Sequence, residues 1–277
     1  MGEDLSFFDV LLSPKYFGDF IFFIGGMSMF EFIGSNKELF KWILVGVFGV
    51  LLILLFVFSL KYEVKGKNNS EKIKKMTTIS ILAAISVVLY YFIKVPMNLF
   101  LPFIPGFLDI HFSNLPIYIG GFLFGPVSGV VIAVIRFLAK LPATQTVGVG
   151  EIADFIIAFS TVMVSSIIYH HHKTKKMAVV ALLSIAFVWT ITAIITNWAF
   201  LLEFYMFLYG FDGVIAMLTV IPGITETNYM LPYILYAVIP FNVILSILVS
   251  SLTFVLYKRL SIIYKDIHFD RKKREQA

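Results

Sequence analysis

The sequence predicts an all-α integral membrane protein: a six-helix core preceded by an N-terminal extension with at least one extra transmembrane helix. Two observations carry this. Hydrophobic residue types make up 59% of the 277 residues and charged types 14%, whereas soluble domains run near ~25% charged. The apolar residues also fall into long unbroken runs without two-residue alternation. A helix needs about 20 such residues to cross ~30 Å of hydrocarbon, and an unpaired backbone is too costly there for open strands.

Taken in order, the run at 20–32 contains Gly25-Gly26 between Asp19 and Glu31. It reads equally as a span, a re-entrant piece or an interfacial helix. Trp42–Leu60 is the extra span of the extension, and Lys61–Lys75 reads as a hydrophilic basic linker. The core runs are Ile79–Ile93, Leu115–Phe124, Val127–Leu138, Ile152–Tyr169, Met177–Leu202 and Leu231–Tyr257. The second and third are short and separated by Gly125-Pro126, a turn signal, so they read as a short helix and a return helix. The expected organisation is an extension over residues 1–70, a substrate-binding core over 71–262 and a basic tail over 263–277.

Lys and Arg stay cytoplasmic in short loops. Sixteen of the 22 basic residues lie in three places: Lys61–Lys75, Lys173–Lys176 and the tail from Lys258. The stretches 95–113, 141–150 and 203–231 carry none. Six spans put every basic stretch on one side and every bare stretch on the other, so both ends of the core are expected in the cytoplasm. The formal charge of +5 then reflects headgroup anchoring and not a nucleic-acid partner; the lipid bilayer is the expected surround.

Several chemistries are excluded. With no Cys there is no disulfide, thiolate metal site or Cys nucleophile, although the redox compartment stays open. The sequence has neither a G-x-x-x-x-G-K-[ST] phosphate loop nor H-E-x-x-H. Gly125-Pro126-Val127-Ser128-Gly129 resembles a serine-hydrolase elbow but has no membrane His as base; small residues for close helix packing explain it better. His170-His171-His172 reads as a polar helix end, because consecutive residues do not face one metal. Asn68-Asn69-Ser70 fits a glycosylation pattern but falls on the cytoplasmic side. Residues 1–14 hold Glu3, Asp4 and Asp9, so no cleavable signal peptide is expected. No catalytic residue, metal site or cofactor is expected.

Polar groups at membrane depth are functional candidates by default. Arg136 lies within the third core helix. Glu151 and Asp154 open the fourth, after Val147-Gly148-Val149-Gly150. Asn197-Trp198 lies in the fifth and Asn242 in the sixth. Arg136 is expected to pair with Glu151 or Asp154, and the group is expected to line an outward pocket. The loop Leu101–Asn114, stiffened by Pro102 and Pro105, is too apolar for a solvated loop and reads as a lid or plug. The stretch 203–231 carries Phe204, Tyr205, Phe207, Tyr209, Phe211 and Tyr229, and a loop of that length is usually functional or contains its own helix. Aromatic planes with a few amides suit a flat heteroaromatic ligand, although part of the aromatic content belongs to an interfacial belt. On the first core helix, Ser80 and Ala84 form a small-x-x-x-small pair, suited to packing inside the core or against another protein.

The runs Phe107-Leu108-Asp109-Ile110-His111-Phe112-Ser113-Asn114-Leu115-Pro116, Gly120-Gly121-Phe122-Leu123-Phe124-Gly125-Pro126, Gly148-Val149-Gly150-Glu151 and Ile239-Pro240-Phe241-Asn242 together resemble the S component of an energy-coupling factor (ECF) vitamin transporter. The riboflavin-specific branch is the nearest, and the resemblance covers about 75–260. It implies six helices with both ends cytoplasmic, in the membrane of a bacterial cell. It also implies capture of riboflavin or a related flavin from outside. Association with a transmembrane coupling subunit and two ABC ATPases would supply the energy. By resemblance Ser80 and Ala84 would form the coupling face, Asn197 and Asn242 would contact the flavin, and Phe107, Leu108 and Asp109 would close over the ring. With the membrane-depth candidates Arg136, Glu151, Trp198 and Tyr205 these form the expected substrate-binding set. Asp109, His111 and Asn114 stand where the family often has Lys, Asp and Asp; Leu245 stands where a Lys is usual, and Arg136 where a Lys is common. FMN or another vitamin is therefore the alternative ligand. A non-transport assembly subunit and a lipid-modifying membrane enzyme are the alternative classes.

Overall fold

The computed structural model describes residues 37–144 and 146–275; the run at 20–32 lies outside them. The chain divides into two compact units, residues 1–50 and 51–277. Among the described residues six helices are long and apolar enough to cross a membrane: Lys41–Tyr62, Asn69–Phe92, Pro126–Ala143, Val149–His171, Lys176–Tyr209 and Met230–Tyr257.

Helix α1 (Lys37–Ser59) follows the expected extra span. In its last turns Leu51, Leu54 and Val57 are exposed, while Leu55 and Phe56 pack on the core, Phe56 stacking on Phe159 at 6.1 Å. Helix α2 (Asn69–Phe92) begins ten residues before the apolar run, because Asn68 caps it by accepting the Glu71 N–H. Three core legs follow: α3 (Leu115–Phe124), α4 (Pro126–Lys140) and α5 (Val149–His171). The fifth leg is α6 (Lys175–Thr196), which passes through a π-helical segment, Asn197–Leu201, into α7 (Leu202–Tyr209). A short helix α8 (Phe211–Leu218) crosses the following loop. The last leg is α9 (Met230–Tyr233), a second π segment over Ile234–Val238, and α10 (Ile239–Glu275). The basic tail thus continues the last helix beyond 262.

Helix α3 has ten residues, about 15 Å at 1.5 Å per residue, half the thickness of the hydrocarbon. It is buried almost throughout, so the irregular chain leading into it is sheltered by protein and not by lipid, the one setting in which such backbone is tolerated. Gly125, with φ +112°, makes the reversal into α4. Glycine also lets these helices interlock: a Cβ on Gly121 would run into Ser166 and Val162, and one on Gly129 into Val162 and the Ile117 carbonyl.

Part of the expected linker is built into the core. The Glu63 carboxylate accepts the N–H groups of Val127 (3.0 Å) and Ser128 (3.2 Å) and the Ser128 hydroxyl, capping α4 where the helix dipole favours an anion. Lys75 donates to the same carboxylate at 2.6 Å and to the Val64 carbonyl at 2.7 Å, and the Val64 N–H reaches the Phe124 carbonyl at 2.8 Å. Hydropathy could not find this, because a single Glu among lysines reads as solvated. His170 meets the Gly121 carbonyl at this same end, and among the described residues no cluster of His, Asp or Glu is arranged for a metal.

Candidate functional site

The bare ends of the legs carry the candidate site. The stretch expected as a lid or plug, Leu101–Asn114, contributes one strand of a two-stranded antiparallel hairpin whose other strand lies just before it: β1 (Lys94–Pro96) pairs with β2 (Asp109–His111), Val95 opposite Ile110. Strand pairing was not foreseen, since the segment alternates too briefly to signal it. Lys94 and Asp109 close the hairpin with a 2.6 Å ion pair. Between the strands Met97 and Ile104 plunge into the core, and the Met97 N–H meets the Leu108 carbonyl at 2.9 Å. These contacts fold the loop inward onto the core.

Phe107 leaves this loop to meet the Tyr205 ring edge-on at 5.7 Å and the Tyr233 ring at 6.5 Å. Tyr205 is on α7 and Tyr233 on α9. The Tyr233 hydroxyl, fully buried, donates to Oδ1 of Asn197 at 2.8 Å, and Asn197 Nδ2 donates to the Ala193 carbonyl at 2.8 Å. The same carbonyl also accepts the Asn197 backbone N–H, at the start of the π segment. Phe107 of the loop, Asn197 and Tyr205 of the fifth leg and Tyr233 of the last leg therefore form one aromatic–amide cluster. Trp198 is half-buried on the same π segment, and Leu108 packs on the core.

Asn242 follows the second π segment. Pro240 lacks the N–H that would continue the ladder, which accounts for the widened turn before it. Asn242 Nδ2 donates to the Val238 carbonyl at 2.7 Å, and its Oδ1 accepts the indole N–H of Trp189 at 2.8 Å. The two π segments lie against each other, and π segments occur disproportionately at functional sites. Leu245, one turn on, is 2% exposed and belongs to the core.

Arg136 pairs with Asp154 (3.1 Å) and not with Glu151. Its other terminal nitrogen donates to Ser113 Oγ (2.7 Å) and Asn114 Oδ1 (2.6 Å) at the foot of the hairpin. Lys140 shares Asp154 at 2.6 Å and lies 3.8 Å over the Tyr90 ring, whose edge also meets His111. One carboxylate thus serves two buried cations, and Lys140 was absent from the expected set. Glu151 instead accepts the hydroxyls of Thr144 (2.8 Å) and Thr146 (2.9 Å), binding the turn before α5. Asp109 is committed to Lys94, so it holds the hairpin.

The residues sequence reasoning missed are Lys140, Trp189 and Tyr233. Trp189 and Tyr233 sit in apolar helices where an aromatic ring reads as core; their polar tips became partners only once the legs were side by side. Ser80 and Ala84 are exposed on α2 beside exposed Ile81, Ile85 and Val88, so among the described residues this small-residue face is not consumed by packing.

Residues 74–257 match the family described as the ECF transporter substrate-specific component. The chain is 32% identical to the Staphylococcus aureus riboflavin transporter RibU over 73% of its own length and 97% of that protein. It is 24% identical to the Bacillus subtilis riboflavin transporter FmnP, over 68% of its own length and 93% of that protein. A Leuconostoc mesenteroides riboflavin transporter RibU is 25% identical, over 71% and 96% of the two chains. Among solved structures, the S component of a bacterial ECF transporter superposes with a TM-score of 0.54 at 30% identity, covering 70% of this chain and 99% of that one. With its six-legged core, short second leg and inward-folded loop, the chain belongs to the family of ECF-transporter S components, substrate-specific membrane subunits of a transporter and not enzymes.

Proposed function

We propose that this chain captures riboflavin from outside the cell and releases it inward while coupled to a transmembrane subunit and two ABC ATPases. The observation that carries the ligand is the aromatic–amide cluster of Phe107, Tyr205, Tyr233 and Asn197, found in a chain similar to three riboflavin transporters over nearly their whole lengths. A flavin is flat, apolar over much of its face and edged with hydrogen-bonding atoms. Rings give it area, and the amides of Asn197 and Asn242 give direction. The hairpin loop with Phe107, Leu108 and Asp109 closes over it and excludes water. Arg136 and Glu151 hold the walls: Arg136 ties α4 and α5 to the loop, Glu151 shapes the turn into α5, and Trp198 follows Asn197 on the π segment. The ligand is not chemically altered.

The distribution of Lys and Arg supports the orientation, with both core ends cytoplasmic and the hairpin outside. Exposed Ser80 and Ala84 support α2 as the face against the coupling subunit, where small residues allow close helix approach. Titration of the purified chain against riboflavin, read by flavin fluorescence, tests the ligand. Saturable quenching is expected; none at about 10 μM, a free energy near 7 kcal/mol, refutes it. Preferential saturation by FMN would move the assignment to the phosphorylated flavin.

A further inference from the structure

Each of the two amides is held by an aromatic donor from another leg of the bundle. The Trp189 indole N–H can only donate, so the atom of Asn242 facing it at 2.8 Å is the oxygen. The Val238 carbonyl can only accept, so the atom facing it at 2.7 Å is the nitrogen. For Asn197 the Ala193 carbonyl makes the assignment, because the Tyr233 hydroxyl can donate or accept. The Ala193 carbonyl takes its Nδ2, and its Oδ1 receives the Tyr233 hydroxyl. With both ends assigned, neither amide can turn over, and each keeps one N–H and one lone pair uncommitted by these bonds. The four side chains are buried, Tyr233 wholly so and Trp189 to within 2%. A reversed Asn242 would therefore face the indole N–H with its own NH₂, and a reversed Asn197 would set its oxygen against the Ala193 carbonyl, each leaving buried polar atoms unpaired.

We propose that Trp189 and Tyr233 are positioning residues for ligand selection: they dictate which edge of Asn242 and Asn197 is offered to the bound heterocycle. This rests on the flavin-binding reading above. Neither aromatic tip need touch the ligand. Without the indole N–H, only the Val238 carbonyl still orients Asn242, so the amide is held less firmly and a ligand with a fixed pattern of donors and acceptors loses discrimination.

The test is a pair of double-mutant cycles on the full chain, read as riboflavin affinity by fluorescence quenching with thermal unfolding measured in parallel. Tyr233→Phe is the conservative probe, since it removes one oxygen and keeps the ring against Phe107. Expected are losses of about tenfold for Trp189→Phe and Tyr233→Phe, the scale of one lost buried hydrogen bond. In the Asn242→Ala background Trp189→Phe should then change affinity less than about twofold, and likewise Tyr233→Phe in Asn197→Ala. A packing defect carries over into the alanine background, so equal losses in both backgrounds overturn the proposal. Unchanged affinity in both single variants overturns it as well, as does unchanged affinity in the two alanine variants. Failure of the unmutated chain to bind riboflavin refutes the underlying reading, and the proposal with it. If the unmutated chain binds while the cycles are additive, the proposal alone is refuted.

Discussion

Replacing Asp154 by Asn should be among the most damaging single changes in the bundle. Its Oδ2 lies 3.1 Å from Arg136 and 2.6 Å from Lys140, with side chains 1% and 4% exposed. Asn is nearly the same size, so the substitution removes charge while preserving packing. Two cations then remain in a poorly solvated interior, Arg136 keeping only the neutral oxygens of Ser113 and Asn114. Breaking a buried pair by removing one partner costs ~3–5 kcal/mol, and here one carboxylate serves two cations, so the upper half of that range is expected. The assay is thermal or denaturant unfolding of the detergent-solubilised chain, with flavin affinity measured below the transition. Lys140→Met alone leaves the Arg136–Asp154 pair intact and should cost less. Combined with Asp154→Asn, it removes one of the two orphaned charges and should restore part of the loss. A cost below ~1 kcal/mol for Asp154→Asn, the range of an exposed pair, would refute the reasoning. So would a double variant no more stable than Asp154→Asn.

Other perturbations test separate parts of the structure. Glu63→Gln removes the charge that caps α4 and receives Lys75, and should cost about 2 kcal/mol by the same unfolding assay; a neutral result would mean the clamp is solvated. Gly129→Ala should cost ~1–3 kcal/mol by overpacking, since the new methyl meets the Ile117 carbonyl backbone. Gly213→Ala, whose nearest neighbour is Tyr209 Cβ at 3.9 Å, should be neutral or stabilising. Removal from water pushes the His111 imidazole down from 6.5 to about 3. Between these values the unfolded chain binds the extra proton, so stability should fall as pH drops from about 6.5 toward 3; His111→Gln should flatten that stretch of the stability–pH curve. Ser80→Leu with Ala84→Leu should abolish uptake in cells while sparing flavin affinity; lost binding instead would place this face inside the packing of the chain.

How much was legible beforehand differs by kind of feature. The seven apolar runs, the Gly125-Pro126 reversal and the two-sided charge pattern were readable because hydropathy, turn chemistry and loop charge are local properties of a chain in lipid. Phe107, Tyr205 and Asn197 were nameable as polar or aromatic groups in places that lipid alone does not favour. Their meeting at one cluster, across almost a hundred residues, was not. The partner of Arg136 depended on helix rotation. Glu151 and Asp154 are three residues apart on α5, and only packing against α4 selects Asp154 for the arginine and turns Glu151 toward Thr144 and Thr146. The 94–111 hairpin was hidden because strands of three residues carry too little periodicity. Glu63 was hidden because its seat, the α4 N-terminus, is formed by residues more than sixty positions away.

The sequence by itself determined that this chain lives in a bilayer, how many apolar legs its core has, and which stretches carry the cations, since the solvent imposes those rules on each segment separately. Tertiary structure decided which buried charges neutralise one another and which way Asn197 and Asn242 face. Those choices belong to pairs of segments: a hydrogen bond at 2.8 Å exists only when two helices adopt one rotation and one depth relative to each other, and no local signal records that.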